Sequence, residues 1–413
     1  MGLIVAKFGG TSVADIEHIE TAAAKIAREA EAGHHIAVVV SAMAGVTNDL
    51  IAQCEAMSDE IDMREHDTVV ASGEQVTSGL MALALQKRGL HARSWTASQL
   101  PFTTDTRHGK ARIVDVRTEE MITGIRHGQI PVLAGFQGIS PERRLTTLGR
   151  GGSDTSAVAL AAALGADRCD IYTDVTGVFT ADPRIVRNAR RIDRISYEEM
   201  LELASMGARV LQVRAVEMAK KYNVRVQVLS SFEDVTGSDE AGTLVVPEEE
   251  MMEEEQVHGI TYSENEAKIT LMSVPDKPGI AADVFAPLAE KEINVDMIVQ
   301  NIAADGRHTD MTFTVPRDDR DKALEALQRV QFLRDNNIEM RAEEDVAKIS
   351  IVGVGMKSHA GVARTMFETL AAKGVNIQVI STSEIKISVL IPAEYTELAV
   401  RALHEAYQLD RGG

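Results

Sequence analysis

The chain is short of cysteine and of long apolar runs, and each shortage excludes a class of protein. Its 413 residues include two cysteines, Cys54 and Cys169. Two are too few for a disulfide framework, and such sparse usage is typical of a reducing compartment. No stretch reaches the ~18 consecutive apolar residues of a membrane-spanning helix. We therefore expect a cytoplasmic protein that has no membrane partner.

Basic charge is also scarce. The formal net charge is −19, from 43 lysines and arginines against 62 acidic residues. Such a surface repels a phosphodiester backbone, so we expect no nucleic-acid partner. Any anionic ligand must instead meet positive groups that are concentrated locally. Lys7, Arg150 and Arg209 stand beside the motifs described next.

Two glycine clusters each follow a strand-like segment and precede a helical one. In the first, Lys7 is followed by Gly9 and Gly10, and the second occupies residues 149–156. Glycines at such a junction let backbone N–H groups and a helix dipole approach an anion. A Gly-Gly pair is also a common tight turn, so the first segment alone leaves both interpretations open. Neither cluster matches the G-x-x-x-x-G-K-[ST] phosphate loop, and the H-R-D and D-F-G motifs of protein kinases are missing.

The alternation of apolar strands and helices predicts an α/β fold over residues 1–246. Short apolar runs at 36–40 and 130–134 read as buried strands, and 198–206 and 213–221 have helical spacing. Such alternation predicts a mainly parallel sheet with helices on both faces. Ligands of these sheets bind beyond the carboxyl ends of the strands, where both glycine clusters fall. The glutamate-rich stretch 247–255 reads as a solvated linker or an exposed helix start.

The C-terminal third contains an internal repeat. Shifting residues 276–298 by 82 positions aligns them with 358–380 and matches identical residues such as Gly279 with Gly361 and Asn294 with Asn376. Each copy predicts the order strand, glycine loop, helix, two strands and helix. The duplication alone is compatible with a ligand-binding pair or with an interface.

Together these motifs resemble the aspartate kinases, a branch of the amino-acid kinase superfamily, and the repeats resemble tandem ACT domains. The matching segments, in the family's order, are 7–12, 40–43, 71–74, 135–138, 149–154, 172–175 and 179–184. The resemblance implies a three-layer amino-acid-kinase sandwich over 1–246 and an acidic linker over 247–264. It further implies ACT-like α+β modules over 265–345 and 346–413.

The resemblance also implies an activity, the ATP-dependent phosphorylation of the side-chain carboxylate of L-aspartate to 4-phospho-L-aspartate. This reaction is the first step toward lysine, threonine and methionine. A carboxylate is already a competent nucleophile, so such a site needs positive charge and positioning rather than a general base. Mg²⁺ is expected on the phosphate oxygens of ATP, without a protein metal cluster.

By resemblance, individual residues acquire expected roles. The implied catalytic residues are Lys7, Asp154 and Arg209. The implied ATP contacts are Lys7, Gly9, Gly10, Thr173, Asp174, Phe179, Asp182, Arg184 and Arg209. The implied aspartate contacts are Ser41, Thr47, Glu74, Arg150, Gly151, Gly152 and Ser153. Two positions depart from the family pattern: Arg209 stands where lysine is usual, and Phe179 stands where tyrosine is common.

The repeats imply control by pathway products. We expect lysine and threonine to be the effectors and to bind the ACT-like modules. The implied effector contacts are Asp276, Gly279, Asn294, Asp296, Gln300, Gly361, Val362, Asn376, Thr382 and Ser383. A homo-oligomer paired through these modules is expected, with or without a separate regulatory subunit translated from Met251 or Met252. Two alternatives stay open at this point: a kinase of glutamate or acetylglutamate, and a non-catalytic amino-acid sensor.

Overall fold

A computed structural model describes residues 2–96, 99, 101–205, 210–238, 240–251, 257–302, 307–353, 356 and 360–411. These residues form two compact units. The first unit comprises Met1–Phe179 and Arg191–Met252, and the second comprises Thr180–Arg190 and Glu253–Gly413. Within the described ranges, no helix combines the length and the apolar character that crossing a bilayer requires.

The first unit contains twelve strands and eight helices among its described residues. The strands are β1 (Leu3–Phe8), β2 (His35–Val40), β3 (Ala92–Trp95), β4 (Phe102–Thr104), β5 (Ile113–Val116), β6 (Ile130–Ala134), β7 (Gln137–Ile139), β8 (Leu145–Thr147), β9 (Arg168–Thr173), β10 (Arg194–Ser196), β11 (Val226–Ser230) and β12 (Thr243–Val246). The helices are α1 (Ile16–Glu31), α2 (Val46–Met57), α3 (Met63–Val70), α4 (Ser72–Lys87), α5 (Glu119–Arg126), α6 (Gly152–Leu164), α7 (Tyr197–Ser205) and α8 (Val213–Tyr222).

The main sheet of the first unit has the order β10-β12-β11-β9-β1-β2-β6-β3. All neighbouring strands run parallel except the β11–β12 pair, as the alternating pattern predicts. The central strands are rich in valine and isoleucine because helices cover both faces. Side chains alternate along β1, so Ala6 and Phe8 join the core formed with α1 and α4. Lys7 lies on the opposite face, where it meets α6.

The second unit carries the two repeats. Its strands are β13 (Gly259–Pro275), β14 (Asp296–Ile302), β15 (His308–Val315), β16 (Glu339–Val352), β17 (Val379–Thr382) and β18 (Lys386–Pro392). Its helices are α9 (Ile280–Glu290), α10 (Arg320–Gln328), α11 (Gln331–Asp335), α12 (Ala360–Ala372) and α13 (Thr396–Ala406). The predicted order of strand, helix, two strands and helix appears in both copies.

The two repeats share their longest strands. The six-stranded sheet has the order β14-β15-β13-β16-β18-β17, and β13 pairs antiparallel with β16 along nearly its whole length. One half of each long strand completes one repeat and the other half completes its neighbour. The proposed module boundaries at 264 and 345 therefore fall inside β13 and β16, and sequence similarity between the copies cannot reveal such sharing.

A short segment from the N-terminal part of the chain, residues 180–190, belongs to the second unit. Phe179 and Arg191 pair in an isolated bridge, and the intervening residues 180–190 join the second unit. Their apolar side chains Ala181, Ile185 and Val186 are buried in the same cluster as α12 and α13. The Thr180 hydroxyl lies 2.9 Å from His404 Nε2, with both residues buried. The prediction that residues 1–246 form one domain missed this excursion, because its apolar residues resemble those of any buried turn.

Candidate active site

A buried ion pair marks the carboxyl edge of the sheet in the first unit. Lys7 Nζ lies 2.6 Å from Asp154 Oδ1, and each side chain is about one-tenth exposed. Lys7 comes from the end of β1, and Asp154 comes from the first turn of α6. The helix dipole favours a carboxylate there, and the carboxylate in turn fixes the lysine ammonium. The pair brings the two glycine clusters together in space.

Glycines allow the strand ends and helix starts to pack closely. A Cβ atom at Gly10 would lie 3.1 Å from the carbonyl oxygen of Ala42, and one at Gly73 would lie 2.8 Å from the Ala42 side chain. A Cβ atom at Gly9 would lie 3.4 Å from Lys7 Nζ. The Gly9 N–H group donates to the carbonyl of Tyr172 at 3.2 Å, so it is used within the fold. The predicted contact of Gly9 with ATP stays a prediction.

Glu74 is a carboxylate buried without full hydrogen bonding. It lies in the first turn of α4 and is 3% exposed. Its Oε1 atom accepts from the N–H of Ala42 at 3.1 Å, while Oε2 has no hydrogen-bond partner among the described residues. Burial raises the pKa of the Glu74 carboxyl to about 7, against the smaller lowering effect of the Ala42 hydrogen bond. An acid in this state is a ready partner for a cation brought by a ligand.

The second glycine cluster forms the turn between β8 and α6. Gly149 and Gly151 have φ values of 81° and 69°, in the left-handed region that favours glycine. Arg150 between them is exposed, and Ser153 follows in the first turn of α6, buried. The turn thus presents one arginine and a helix N-terminus at the edge that also holds Lys7.

Two further expected aspartate contacts flank the same edge. The Ser41 N–H group donates to the carbonyl of Phe8 at 3.1 Å, which ties the end of β2 to the end of β1. Thr47 is the second residue of α2, which begins after Gly45 in a left-handed conformation. Both side chains are half-buried. Their predicted contact with substrate stays a prediction.

The residues expected to hold the nucleotide divide between the units. Thr173 ends β9, and its hydroxyl donates to Asp174 Oδ1 at 3.2 Å. Phe179 is half-buried in the first unit. Asp182 and Arg184 belong to the second unit, where they form an ion pair of 2.7 Å and Asp182 also accepts from the Tyr262 hydroxyl. Arg209 lies outside the described residues.

The expected effector residues lie in the second unit. Gly279, with φ of 97°, precedes α9, and Gly361 lies in the first turn of α12. Both glycines are exposed, Ser383 is half-buried, and the other exposed members of the set are Asp276, Asn294, Asp296, Gln300, Asn376 and Thr382. Val362 is different because its side chain is buried in the core of the second repeat. Part of the loop before α12, residues 357–359, lies outside the described residues.

A reciprocal contact links the two repeats. Lys348 Nζ in β16 donates to Asp296 Oδ2 at 2.7 Å and also meets Glu266 at 3.0 Å. At the corresponding place in the other copy, Lys268 Nζ donates to Gln378 Oε1 at 2.7 Å. The Lys348 ammonium contributes to a lowered pKa of the Asp296 carboxyl, although burial opposes it. Asp296 therefore has a structural partner besides its expected effector.

Sequence reasoning missed a polar cluster behind the β8–α6 turn. Asp67 of α3 is fully buried, and Arg214 near the start of α8 reaches the carbonyl of Leu148. The helical spacing of the sequence could have predicted that Asp67 is buried. It could not have predicted which polar groups contact the Asp67 carboxylate. Among the described residues, no group of three or more His, Cys, Asp or Glu side chains is arranged to hold a metal ion.

Comparison with known proteins assigns this geometry to a family. Residues 2–230 match the amino acid kinase family, and residues 268–332 and 349–407 each match the ACT domain. The chain is 51% identical to the aspartate kinase of Stutzerimonas stutzeri over 415 positions, covering 99% of this chain and 98% of that protein. The chain belongs to the aspartate kinase family. The resemblance predicted from the motifs is thereby confirmed.

Solved structures of aspartate kinases share this fold. The structure of Escherichia coli aspartokinase III in complex with aspartate and ADP, in the R-state, matches with a TM-score of 0.81 and 28% identity, covering 98% of this chain and 99% of that chain. The same enzyme in complex with lysine and aspartate, in the T-state, matches with a TM-score of 0.75 at the same identity and coverage. The predicted combination of an amino-acid kinase domain and two C-terminal ACT modules is confirmed.

Proposed function

We propose that this chain transfers the γ-phosphoryl group of ATP to the side-chain carboxylate of L-aspartate, giving 4-phospho-L-aspartate and ADP. The observation that carries the proposal is Glu74, a buried carboxylate with one oxygen lacking a hydrogen-bond partner among the described residues. The ammonium group of an amino acid would supply that partner. The aspartate and ADP named for the Escherichia coli structure support the same pair of ligands.

The chemistry needs positioning and positive charge. A carboxylate oxygen of aspartate attacks the γ-phosphorus, the bond from that phosphorus to the β–γ bridging oxygen breaks, and ADP leaves with the electron pair. The nucleophile is already ionised, so no side chain must remove a proton. Lys7, held by Asp154 at 2.6 Å, would offset the charge that develops on the transferred group. Mg²⁺ would enter on the phosphate oxygens of ATP.

The remaining residues of the set are assigned by substrate. Arg150 would bind a carboxylate of aspartate with its two-pronged guanidinium, beside the first turn of α6. The other proposed aspartate contacts are Ser41, Thr47, Gly151, Gly152 and Ser153. The proposed ATP contacts are Gly9, Gly10, Thr173, Asp174, Phe179, Asp182, Arg184 and Arg209. Arg209 would take the place of the usual lysine at the phosphates.

An acceptor assay tests the proposed reaction. We expect ADP release from ATP to require L-aspartate, and glutamate or acetylglutamate at equal concentration to give a small fraction of that rate. The physical reason is reach, because an acceptor one methylene longer displaces its carboxylate from the phosphoryl group. Release that prefers glutamate or acetylglutamate would assign a different amino-acid kinase. Absence of release with every acceptor, together with calorimetric binding of an amino acid, would assign a sensor.

We further propose that lysine and threonine inhibit the enzyme through the second unit. The first turns of α9 and α12 offer backbone N–H groups to an amino-acid carboxylate. Exposed polar residues nearby would meet the ammonium and side chain. Val362 would contribute through its backbone only, because its side chain is buried. The lysine complex of the Escherichia coli enzyme supports this class of effector.

Filling the start of α12 should relieve inhibition. A Cβ atom built at Gly361 meets nothing within 4 Å, so Gly361→Leu occupies open space where the effector carboxylate is expected. We expect the effector concentration for half-inhibition to rise at least about tenfold, equivalent to about 1.4 kcal/mol. The matched control is Gly79→Leu in α4, a helical glycine with equally open surroundings. Unchanged inhibition in the Gly361 variant, or no calorimetric binding of lysine or threonine to the full chain, would remove the proposed site.

We also propose a cytoplasmic homo-oligomer paired through the ACT modules, with or without a regulatory subunit translated from Met251 or Met252. The edge strands β14 and β17 support pairing. Ile298 and Ile380 occupy equivalent positions on these edges and are 54% and 46% exposed. Exposed apolar side chains on unpaired strand edges are typical of surfaces that become covered.

A further inference from the structure

The β8–α6 turn that carries Arg150 is held from behind by a buried carboxylate. Asp67 is fully buried, and four hydrogen-bonding groups contact its carboxylate. Thr147 donates its N–H at 3.0 Å and its hydroxyl at 2.6 Å, and the Gly109 N–H donates at 3.1 Å. His108 Nδ1 lies 2.8 Å from the same carboxylate. Asp67 therefore ties α3, the loop 108–109 and the last residue of β8 to one point.

A guanidinium holds the same turn from the other side. Arg214 donates through Nη1 to the carbonyl of Leu148 at 2.6 Å and through Nη2 to the carbonyl of Ala111 at 3.0 Å. Gln212 donates to the carbonyl of Arg150 itself at 2.8 Å. Three positions of the turn, 147, 148 and 150, are thus each held through backbone or hydroxyl groups.

These ties decide where Arg150 stands. The Arg150 side chain is exposed, and its guanidinium forms no hydrogen bond or ion pair with another described residue. Its position depends on its own main chain. A Cβ atom at Gly149 would lie 3.2 Å from the carbonyl of Gly109, so the turn rests directly on the loop that Asp67 anchors. A shift of about 1 Å in such a support is enough to impair binding at a preorganised site.

We propose that Asp67 and Arg214 are positioning residues for the amino-acid substrate. They fix the main chain of residues 147–151 so that Arg150 and the first turn of α6 meet the substrate carboxylate. This inference rests on the proposed function of the site. Neither residue touches the nucleotide in this proposal, so its effect is specific to the amino acid.

Steady-state kinetics with matched variants test the proposal. Arg214→Lys keeps the charge but cannot reach both carbonyls, and Asp67→Asn brings an NH₂ group against N–H donors. We expect each to raise the KM for aspartate about tenfold or more, as for other lost buried hydrogen bonds. The KM for ATP should stay within about twofold. Arg150→Lys should give the same pattern, because it reduces a two-pronged carboxylate contact to a point charge. The controls Arg117→Lys and Asp115→Asn change exposed residues of the neighbouring β5 region and should leave both KM values unchanged.

A conservative pair at position 147 separates positioning from folding. Thr147→Ser retains the hydroxyl that donates to Asp67 and should preserve the KM for aspartate, whereas Thr147→Val removes it and should raise that KM. If Asp67→Asn does not fold, Arg214→Lys and the Thr147 pair carry the test.

Equal rises in both KM values, or a rise that follows the loss in unfolding temperature across all variants, would overturn the inference. If the wild-type enzyme prefers another acceptor, the proposed function fails. The positioning role of Asp67 and Arg214 is then tested by comparing the KM for that acceptor with the KM for ATP.

Discussion

Replacing Lys7 by methionine should lower kcat by about 10²–10³ while the first unit still folds. The ammonium lies at the end of β1 against the start of α6, where the transferred phosphoryl group would develop charge. Methionine keeps the length and the apolar contacts of the side chain but supplies no charge. Turnover measured by ADP release at saturating ATP and aspartate provides the test, and Lys87→Met, at an exposed lysine, is the control.

Lys7→Met should also lower stability, and a second variant separates this effect from the loss of turnover. Both members of the pair are buried, so Lys7→Met leaves the Asp154 carboxylate without its partner. The double variant with Asp154→Asn should recover much of the lost unfolding temperature and none of the turnover. Near-normal turnover in Lys7→Met, or recovery of turnover in the double variant, would contradict the assigned role of Lys7.

Changing Glu74 to glutamine should weaken the binding of aspartate at least about 30-fold. Truncating one partner of a buried charge pair costs about 2 kcal/mol or more. In the wild-type enzyme, kcat/KM for aspartate should rise with pH, reach half of its maximum near pH 7 and level off about one pH unit higher. The reason is that burial raises the pKa of Glu74 to about 7, and the proposed ion pair with the substrate ammonium needs the ionised form. In the glutamine variant, kcat/KM for aspartate should be low and should not change with pH over this range. A parallel pH profile in the variant would assign the titration to another group, and Glu120→Gln serves as an exposed control.

Stability should respond to the same carboxyl with a defined sign. The folded-state pKa of Glu74 is about 7 and lies above the ordinary value of 4.5, so the native state binds more protons than the unfolded state between these values. Its contribution to the free energy of unfolding therefore falls as pH rises through that window. The glutamine variant should not show this decrease. Relative to that of the wild-type protein, the free energy of unfolding of the variant should therefore be larger at pH 8 than at pH 5. Equal pH dependence of urea unfolding would show that Glu74 is not the buried acid described.

Much of the first unit follows from local sequence. The valine-rich runs at β2 and β6 predict buried strands, and glycines at 9–10 and 149–152 predict strand-to-helix turns. Parallel strand order then brings Lys7 and Asp154 to one edge, although they are separated by 147 positions. That meeting is predictable because parallel strands share a carboxyl edge.

Other features depend on contacts that no local pattern encodes. Glu74 Oε2, which has no hydrogen-bond partner in the described part of the chain, is buried where α4 packs closely against Ala42. The ties from Asp67 and Arg214 join segments that are distant in sequence. The sequence likewise does not predict that β13 and β16 are shared between the repeats. Each strand is one continuous stretch of sequence, and nothing in it marks where one repeat ends and the other begins.

The excursion at 180–190 means that the chain passes between the units three times, after Phe179, after Arg190 and at the acidic segment. A cut in the acidic segment therefore does not divide the protein into self-contained parts. The N-terminal piece keeps Ala181, Ile185 and Val186, which complete the core of the C-terminal piece. Deleting everything after Pro247 would strip these side chains of their surroundings and disturb the segment between Phe179 and Arg191, which pair in an isolated bridge. The proposed inhibition through the ACT modules is thus better tested by point substitutions in them than by removing them.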